Sequence, residues 1–161
     1  METKQWTTID KKGWPRGEWD EEPDKVQWPD AETGLPCLAV RGPGGNWCGY
    51  VGLAEGHALY GKHYDDVDVR VHGGLTFADA CHPGATEATG ICHVPSKGEP
   101  DHIWWLGFDC AHLGDVSPAY QPWRYSGYDE WYKNLSYVQR QCAFLAKQLF
   151  HHPVRVFEEE T

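Results

Sequence analysis

One stretch of the chain repeats its apolar residues at helical period without a break. Trp131, Leu135, Val138, Cys142, Leu145 and Leu149 recur at spacings of 4, 3, 4, 3 and 4, which lays a single apolar stripe along a helix over 131–149. Lys133, Arg140 and Lys147 take the opposite side. Ser126 and Asp129 stand at capping-box spacing ahead of it, and Pro153 stops it after His151-His152. A stripe this long has to be covered, and the rest of the chain offers strands to cover it.

Those strands are short apolar runs bounded by Gly, Pro and Asp. Val26-Gln27-Trp28, residues 35–41 and residues 46–53 are separated by Pro29-Asp30-Ala31-Glu32-Thr33-Gly34 and by Gly42-Pro43-Gly44-Gly45, a pattern that predicts antiparallel strands joined by hairpin turns. Residues 54–66 form a polar, aromatic connection. Strict alternation follows, with Val67, Val69 and Val71 on one side and Asp68, Arg70 and His72 on the other, so a strand with one core face is expected there. Gly73-Gly74 marks a bulge or close backbone approach before Leu75-Thr76-Phe77 resumes the apolar phase. Residues 78–102 show no period of either kind and are expected to be a long loop, of the sort that often carries function. Residues 103–108 are apolar on both faces, as in a central strand covered on each side.

The expected fold is therefore α+β, a small and mainly antiparallel sheet packed on one long C-terminal helix, with long aromatic-rich loops. Residues 1–24 hold three Trp among Gly, Pro and acids and read as an ordered arm. Residues 25–157 form a single domain with an edge strand at Val154-Arg155-Val156-Phe157, and 158–161 an acidic tail. At 161 residues no metal staple or disulfide framework is needed for a core. A formal net charge of -10 with only 14 Lys and Arg argues against nucleic acid as a partner. No apolar leader opens the chain and no run approaches a membrane span, so a soluble cytoplasmic protein with no membrane partner is expected. The six Cys then default to free thiols, mostly buried.

Chemistry concentrates where the 103–108 strand ends. Asp109, His112 and Asp115 are spaced by three, so one turn brings them together. Two carboxylates beside an imidazole can hold a divalent metal, the one cofactor these residues suggest, or orient a general-base His. The structural alternative is that Asp109 and Asp115 cap turns around a satisfied His112. His72, on the polar side of its strand, would join them across Gly73 and Gly74, whose backbone can approach a ligand. Trp105 shares Asp109's face and would form a pocket wall. Arg70 is expected to pair with Asp68. Cys81-His82 and Cys92-His93 lack the spacing of a structural zinc site. Cys110 makes a poor nucleophile next to His112 if its thiol is buried. Phosphate-loop, nucleophile-elbow and His-Glu-x-x-His motifs are missing.

Val71-His72-Gly73-Gly74-Leu75-Thr76, together with Trp104-Trp105-Leu106-Gly107-Phe108-Asp109-Cys110-Ala111-His112-Leu113-Gly114-Asp115, resembles an uncharacterised family of small proteins carried by bacteriophages, prophages and bacteria. The likeness runs from Asp24 to Leu149. It implies a viral or mobile-element accessory protein acting in the host cytoplasm, and small phage proteins of that kind often counter host defence, in some cases by sequestering or cleaving nucleotide second messengers. The leading expectation is a pocket lined by His72, Gly73, Gly74, Trp105, Asp109 and His112 that binds a small polar, nucleotide-derived molecule. The first alternative is a metal-dependent hydrolase or phosphodiesterase with His72, Asp109 and His112 as catalytic groups and Asp109, His112 and Asp115 on the metal. The second is a protein-binding inhibitor of a host factor. A homo-oligomer is compatible with each.

Overall fold

The turn after Pro29 closes on its own side chains. Asp30 Oδ2 accepts from Thr33 N at 2.9 Å and from Thr33 Oγ1 at 2.7 Å, while Gly34, at φ 75°, reverses the chain in a conformation that residues with a Cβ avoid. Strands β2 (Lys25–Pro29) and β3 (Pro36–Arg41) therefore pair antiparallel, Trp28 opposite Cys37. A second tight turn, with Gly42 N donating to Asn46 O at 2.8 Å, leads into β4 (Trp47–Ala54). The computed structural model describes residues 1–120 and 130–152. With β1 (Lys4–Trp6), β5 (Phe77–Ala80), β6 (Ile103–Asp109) and helix α1 (Leu135–Phe150), these elements form a six-stranded antiparallel sheet in the order β1-β2-β3-β4-β6-β5 with one long helix across it. The α+β expectation holds.

Three glycines set how the central strands meet. Gly49 faces Phe108, Gly52 faces Trp105 and Gly107 faces Tyr50 across the β4–β6 pair. A Cβ at any of the three would run into the opposing aromatic ring, so each ring occupies the space over a backbone that has no side chain to displace it. Both sheet faces are buried as a result. On one face Trp47, Val51, Leu106 and Phe108 pack with Val138, Cys142, Leu145 and Leu149 of α1. On the other, Leu38, Val40, Tyr50, Ile103 and Trp105 form a second cluster.

Four expectations change. Residues 67–71 are not a strand, although Val67, Val69 and Val71 do pack against the helix-side core. The segment runs along α1, and side-chain amides replace a neighbouring strand. Gln148 accepts from Arg70 N at 2.8 Å and donates to Arg70 O at 2.6 Å, and Gln141 accepts from His72 N at 3.0 Å. The helix begins at Leu135 rather than 131, because Asn134 Oδ1 accepts from Tyr137 N at 2.9 Å and Glu22 Oε2 accepts from Leu135 N at 2.6 Å. Trp131 is half exposed outside it. Residues 78–80 belong to β5, and the rest of the long loop covers the second sheet face. Cys81 and Cys92 are joined in a disulfide, while Cys37, Cys48, Cys110 and Cys142 are free. Ser126, Asp129, Pro153, the 154–157 edge strand and the 158–161 tail lie outside the described residues.

The N-terminal arm is tied in by charge. Asp24, 2% exposed at its side chain, pairs with Arg41 Nε at 2.9 Å and Lys11 Nζ at 2.5 Å and accepts from Thr8 N and Ile9 N at 2.8 Å. Arg41 also donates to Gly45 O and Tyr132 OH, both at 2.9 Å, and stacks 4.3 Å from the Trp47 ring centre. Burial pushes the Asp24 carboxyl up, and the Lys11, backbone and Arg41 hydrogen bonds more than offset it, leaving its pKa below the ordinary 3.8.

Candidate functional site

Strand β6 ends in a turn built by its own last residue. Asp109 Oδ1 accepts from Ala111 N at 3.1 Å and Oδ2 from the Thr76 hydroxyl at 2.9 Å, so this carboxylate caps the turn and pins the strand before β5. The chain then closes one tight turn, Asp115 N donating to His112 O at 2.9 Å. Buried Asn46 reaches across to donate to Cys110 O at 2.6 Å, which ties the β3–β4 hairpin to the same corner.

Asp115 is the centre of the cluster. Its side chain is 2% exposed. Oδ2 takes His72 Nε2 at 2.8 Å and His112 N at 3.1 Å, and Oδ1 takes Lys133 Nζ at 3.0 Å. A carboxylate only accepts, so His72 carries its proton on Nε2 and, when neutral, accepts at Nδ1 from the Tyr137 hydroxyl 2.7 Å away. Lys133 is closed off by Gly114 O and Trp131 O, each at 3.1 Å, and by the Trp131 ring. Burial raises the Asp115 pKa, and the His72, His112 N–H and Lys133 contacts outweigh it, holding the group below 3.8. Tyr137 is pushed up by burial and by its neighbours Cys110 and Asp115. Burial likewise pushes the Cys110 thiol well up, so no thiolate nucleophile forms beside His112.

His112 lies in front of Gly73. A Cβ on Gly73, whose φ is 68°, would strike the His112 ring, so this glycine serves both the backbone conformation and the packing. His112 Nε2 sits 3.1 Å from Asp109 Oδ1, but the angles miss those of a hydrogen bond and the nitrogen is left buried without a partner. The His112 side chain is 38% exposed and that of Asp109 29%. The rings of His72 and His112 are 6.2 Å apart.

His72, Gly73, Asp109, His112 and Asp115 thus meet at one corner of the sheet, in two linked halves: an inner one, His72–Asp115–Lys133–Tyr137, and an outer one, Asp109–His112–Thr76. Gly74, at φ 80°, follows with open space where a Cβ would stand. Trp105 does not wall this site. It is 0% exposed, in the cluster on the sheet face away from α1, edge-on to His93. Among the described residues no three His, Cys, Asp or Glu side chains converge as a metal set. Asp115 spends both oxygens on His72, His112 and Lys133 instead. His82 pairs with Asp79 at 2.6 Å, and the Cys81–Cys92 bond removes both thiols from any zinc set. Open clefts lie elsewhere, among them one of about 400 Å3 beside Lys11, Trp14 and Arg16 and one of about 600 Å3 between Val69 and Phe144.

Tyr137, Lys133 and Thr76 were not legible as site residues. Tyr137 and Lys133 read as ordinary positions of a helical segment, and Thr76 as part of an apolar run. The common signal for all three is the donor that a cluster rich in carboxylates requires.

The corner belongs to an α+β protein, and no helix among the described residues is long and apolar enough to cross a membrane. No family model, curated protein or solved structure matches the chain.

Proposed function

We propose that this chain is a phage-type accessory protein that binds a small polar molecule of the nucleotide-derived class at the outer half of the corner, around Gly73, Gly74, Asp109 and His112. One observation carries the reading: the inner half satisfies itself, while the outer half keeps accessible edges. His72, Asp115, Lys133 and Tyr137 take each other as partners, so none of these four is free to act as a general base, which favours holding a molecule over cleaving it. Asp109 and His112 are 29% and 38% exposed, and Gly74 beside them has open space where a Cβ would stand, so its backbone admits close approach. The phage-type setting and action in the host cytoplasm rest on the resemblance of residues 71–76 and 104–115 alone.

Calorimetry and native mass spectrometry against linear and cyclic nucleotides provide the test. A saturable heat that disappears in His112→Ala and Asp109→Ala, with the ligand recovered intact after denaturation, is expected. Absence of binding by a folded protein refutes the proposal. Recovery of a hydrolysed product would put the metal-dependent or acid–base hydrolase in its place.

A further inference from the structure

The second face of the sheet is closed by the 81–102 loop, and the closure depends on two polar side chains that are themselves wholly buried. Lys25 is 0% exposed and donates from Nζ to the carbonyls of Glu87, Gly90 and Cys92 at 2.7, 2.6 and 2.7 Å. Gln27, also 0% exposed, holds Val94 from both sides, donating to its carbonyl at 3.1 Å and accepting from its N–H at 2.8 Å. Under this cover sits the Trp105 cluster, with Ile91 and His93 of the loop packed on it. The loop has short turns and no strand or helix of its own between Cys81 and Ile103. What draws its first half into a compact cap is the Cys81–Cys92 bond, across a separation of 11 residues, and all three Lys25 acceptors lie on the segment this bond closes.

We propose that the Cys81–Cys92 disulfide is a redox latch: its reduction by a dithiol releases the loop from Lys25 and opens the Trp105 face of the sheet. In the step, two electrons and two protons pass from the dithiol to the S–S bond, giving thiols at Cys81 and Cys92 and a disulfide in the reductant. Cys81 is exposed and Cys92 half-buried, so a dithiol in solution reaches the bond; of the free thiols, Cys37, Cys110 and Cys142 are buried and Cys48 is half-buried. Once the bond is open, the segment regains chain entropy that must be lost again for three carbonyls to converge on one ammonium. Burial already lowers the Lys25 pKa to about 8, against Glu87, which raises it; an ammonium so placed stays inside only while carbonyls face it. A disulfide exposed to a reducing compartment is characteristically a transient, redox-sensing one.

Hydrogen exchange of the full chain with and without a dithiol reductant tests this. The expected result is acceleration on the order of 100-fold for amides of residues 82–96 on reduction, reversal on reoxidation, and unchanged protection in α1. Brief alkylation of the reduced, folded protein should label Cys81 and Cys92 ahead of the other four. Cys81→Ser/Cys92→Ser should behave as the reduced protein, and Lys25→Met should loosen the same loop with the disulfide intact. Equal protection in oxidised and reduced protein overturns the proposal. So does acceleration spread equally over loop and α1, since the bond would then be a staple for the whole fold.

Discussion

Replacing Asp115 by Asn tests the corner with the least change in shape. The carboxylate receives three donors, from His72, the His112 backbone and Lys133. An amide has one accepting oxygen, so at least one of those donors meets an N–H. Lys133 and Asp115 are 5% and 2% exposed, so solvent does not screen the loss, and removing one partner of a buried pair costs about 3–5 kcal/mol. Lys133 keeps two carbonyls, at 3.1 Å each, which sets the expectation at the lower end, about 3 kcal/mol. Urea unfolding followed by tryptophan fluorescence should show that loss with an unchanged slope, and Tm should fall by about 6–12 °C. In a double-mutant cycle with Lys133→Met, the two changes should couple by about 1–3 kcal/mol. The pH dependence carries a sign. The folded Asp115 pKa lies below 3.8, so below about that pH the unfolded chain binds more protons; its contribution is complete above its unfolded value and lost as pH falls through the folded one. The wild type should therefore lose more stability on acidification than Asp115→Asn does. A variant within about 0.5 kcal/mol of wild type, with no coupling to Lys133, would refute the reasoning.

Gln148→Ala removes both partners of the Arg70 backbone and should cost about 1–2 kcal/mol, with amide exchange at residues 68–72 rising first. Gly49→Ala pushes a methyl into the Phe108 ring and the Cys142 sulfur and should cost about 1–3 kcal/mol, with a changed near-ultraviolet circular dichroism spectrum. Burial raises the thiols of Cys37 and Cys142, and that of Cys48 to about 11, and raises the phenols of Tyr50 and Tyr132. Their contributions are present below the ordinary values of 9.0 and 10.0 and lost as pH rises through the folded ones, so the urea midpoint should fall above about pH 9. Lys25, lowered to about 8, acts in the opposite direction between pH 8 and 10.5, and Lys25→Met should steepen that fall.

Strands β2, β3, β4 and β6 were legible because each is an apolar run between turn-forming residues, and the turns at Asp30 and Gly42 carry their own closing hydrogen bonds. Strands β1 and β5 were not. They are edge strands of three and four residues, with a neighbour on one side only and too short for a periodic signal. Alternation at residues 67–71 correctly placed the three valines inward, but alternation says that one face is covered and not by what; glutamine amides on a helix leave no mark of their own on the segment they bind. Trp131 is in phase with α1 and outside it, since phase does not locate a helix start and the Asn134 cap does. His72 and Asp115 could be gathered to one corner from their elements. That Asp109 serves Thr76 and its own turn, while Asp115 takes His72, depends on distances that no spacing encodes. The Cys81–Cys92 bond was unreadable for a similar reason: it is set by where the loop lies on the sheet.

The crossed pairs Gly49–Phe108, Gly52–Trp105 and Gly107–Tyr50 impose a rule on how such a chain can change through descent. Neither partner of a pair is free to vary alone, because a larger residue at the glycine meets the ring and a smaller residue at the ring uncovers backbone. Viable relatives should exchange bulk between the two strands, a side chain gained on one matched by a ring lost on the other, so that the six positions vary as three coupled pairs.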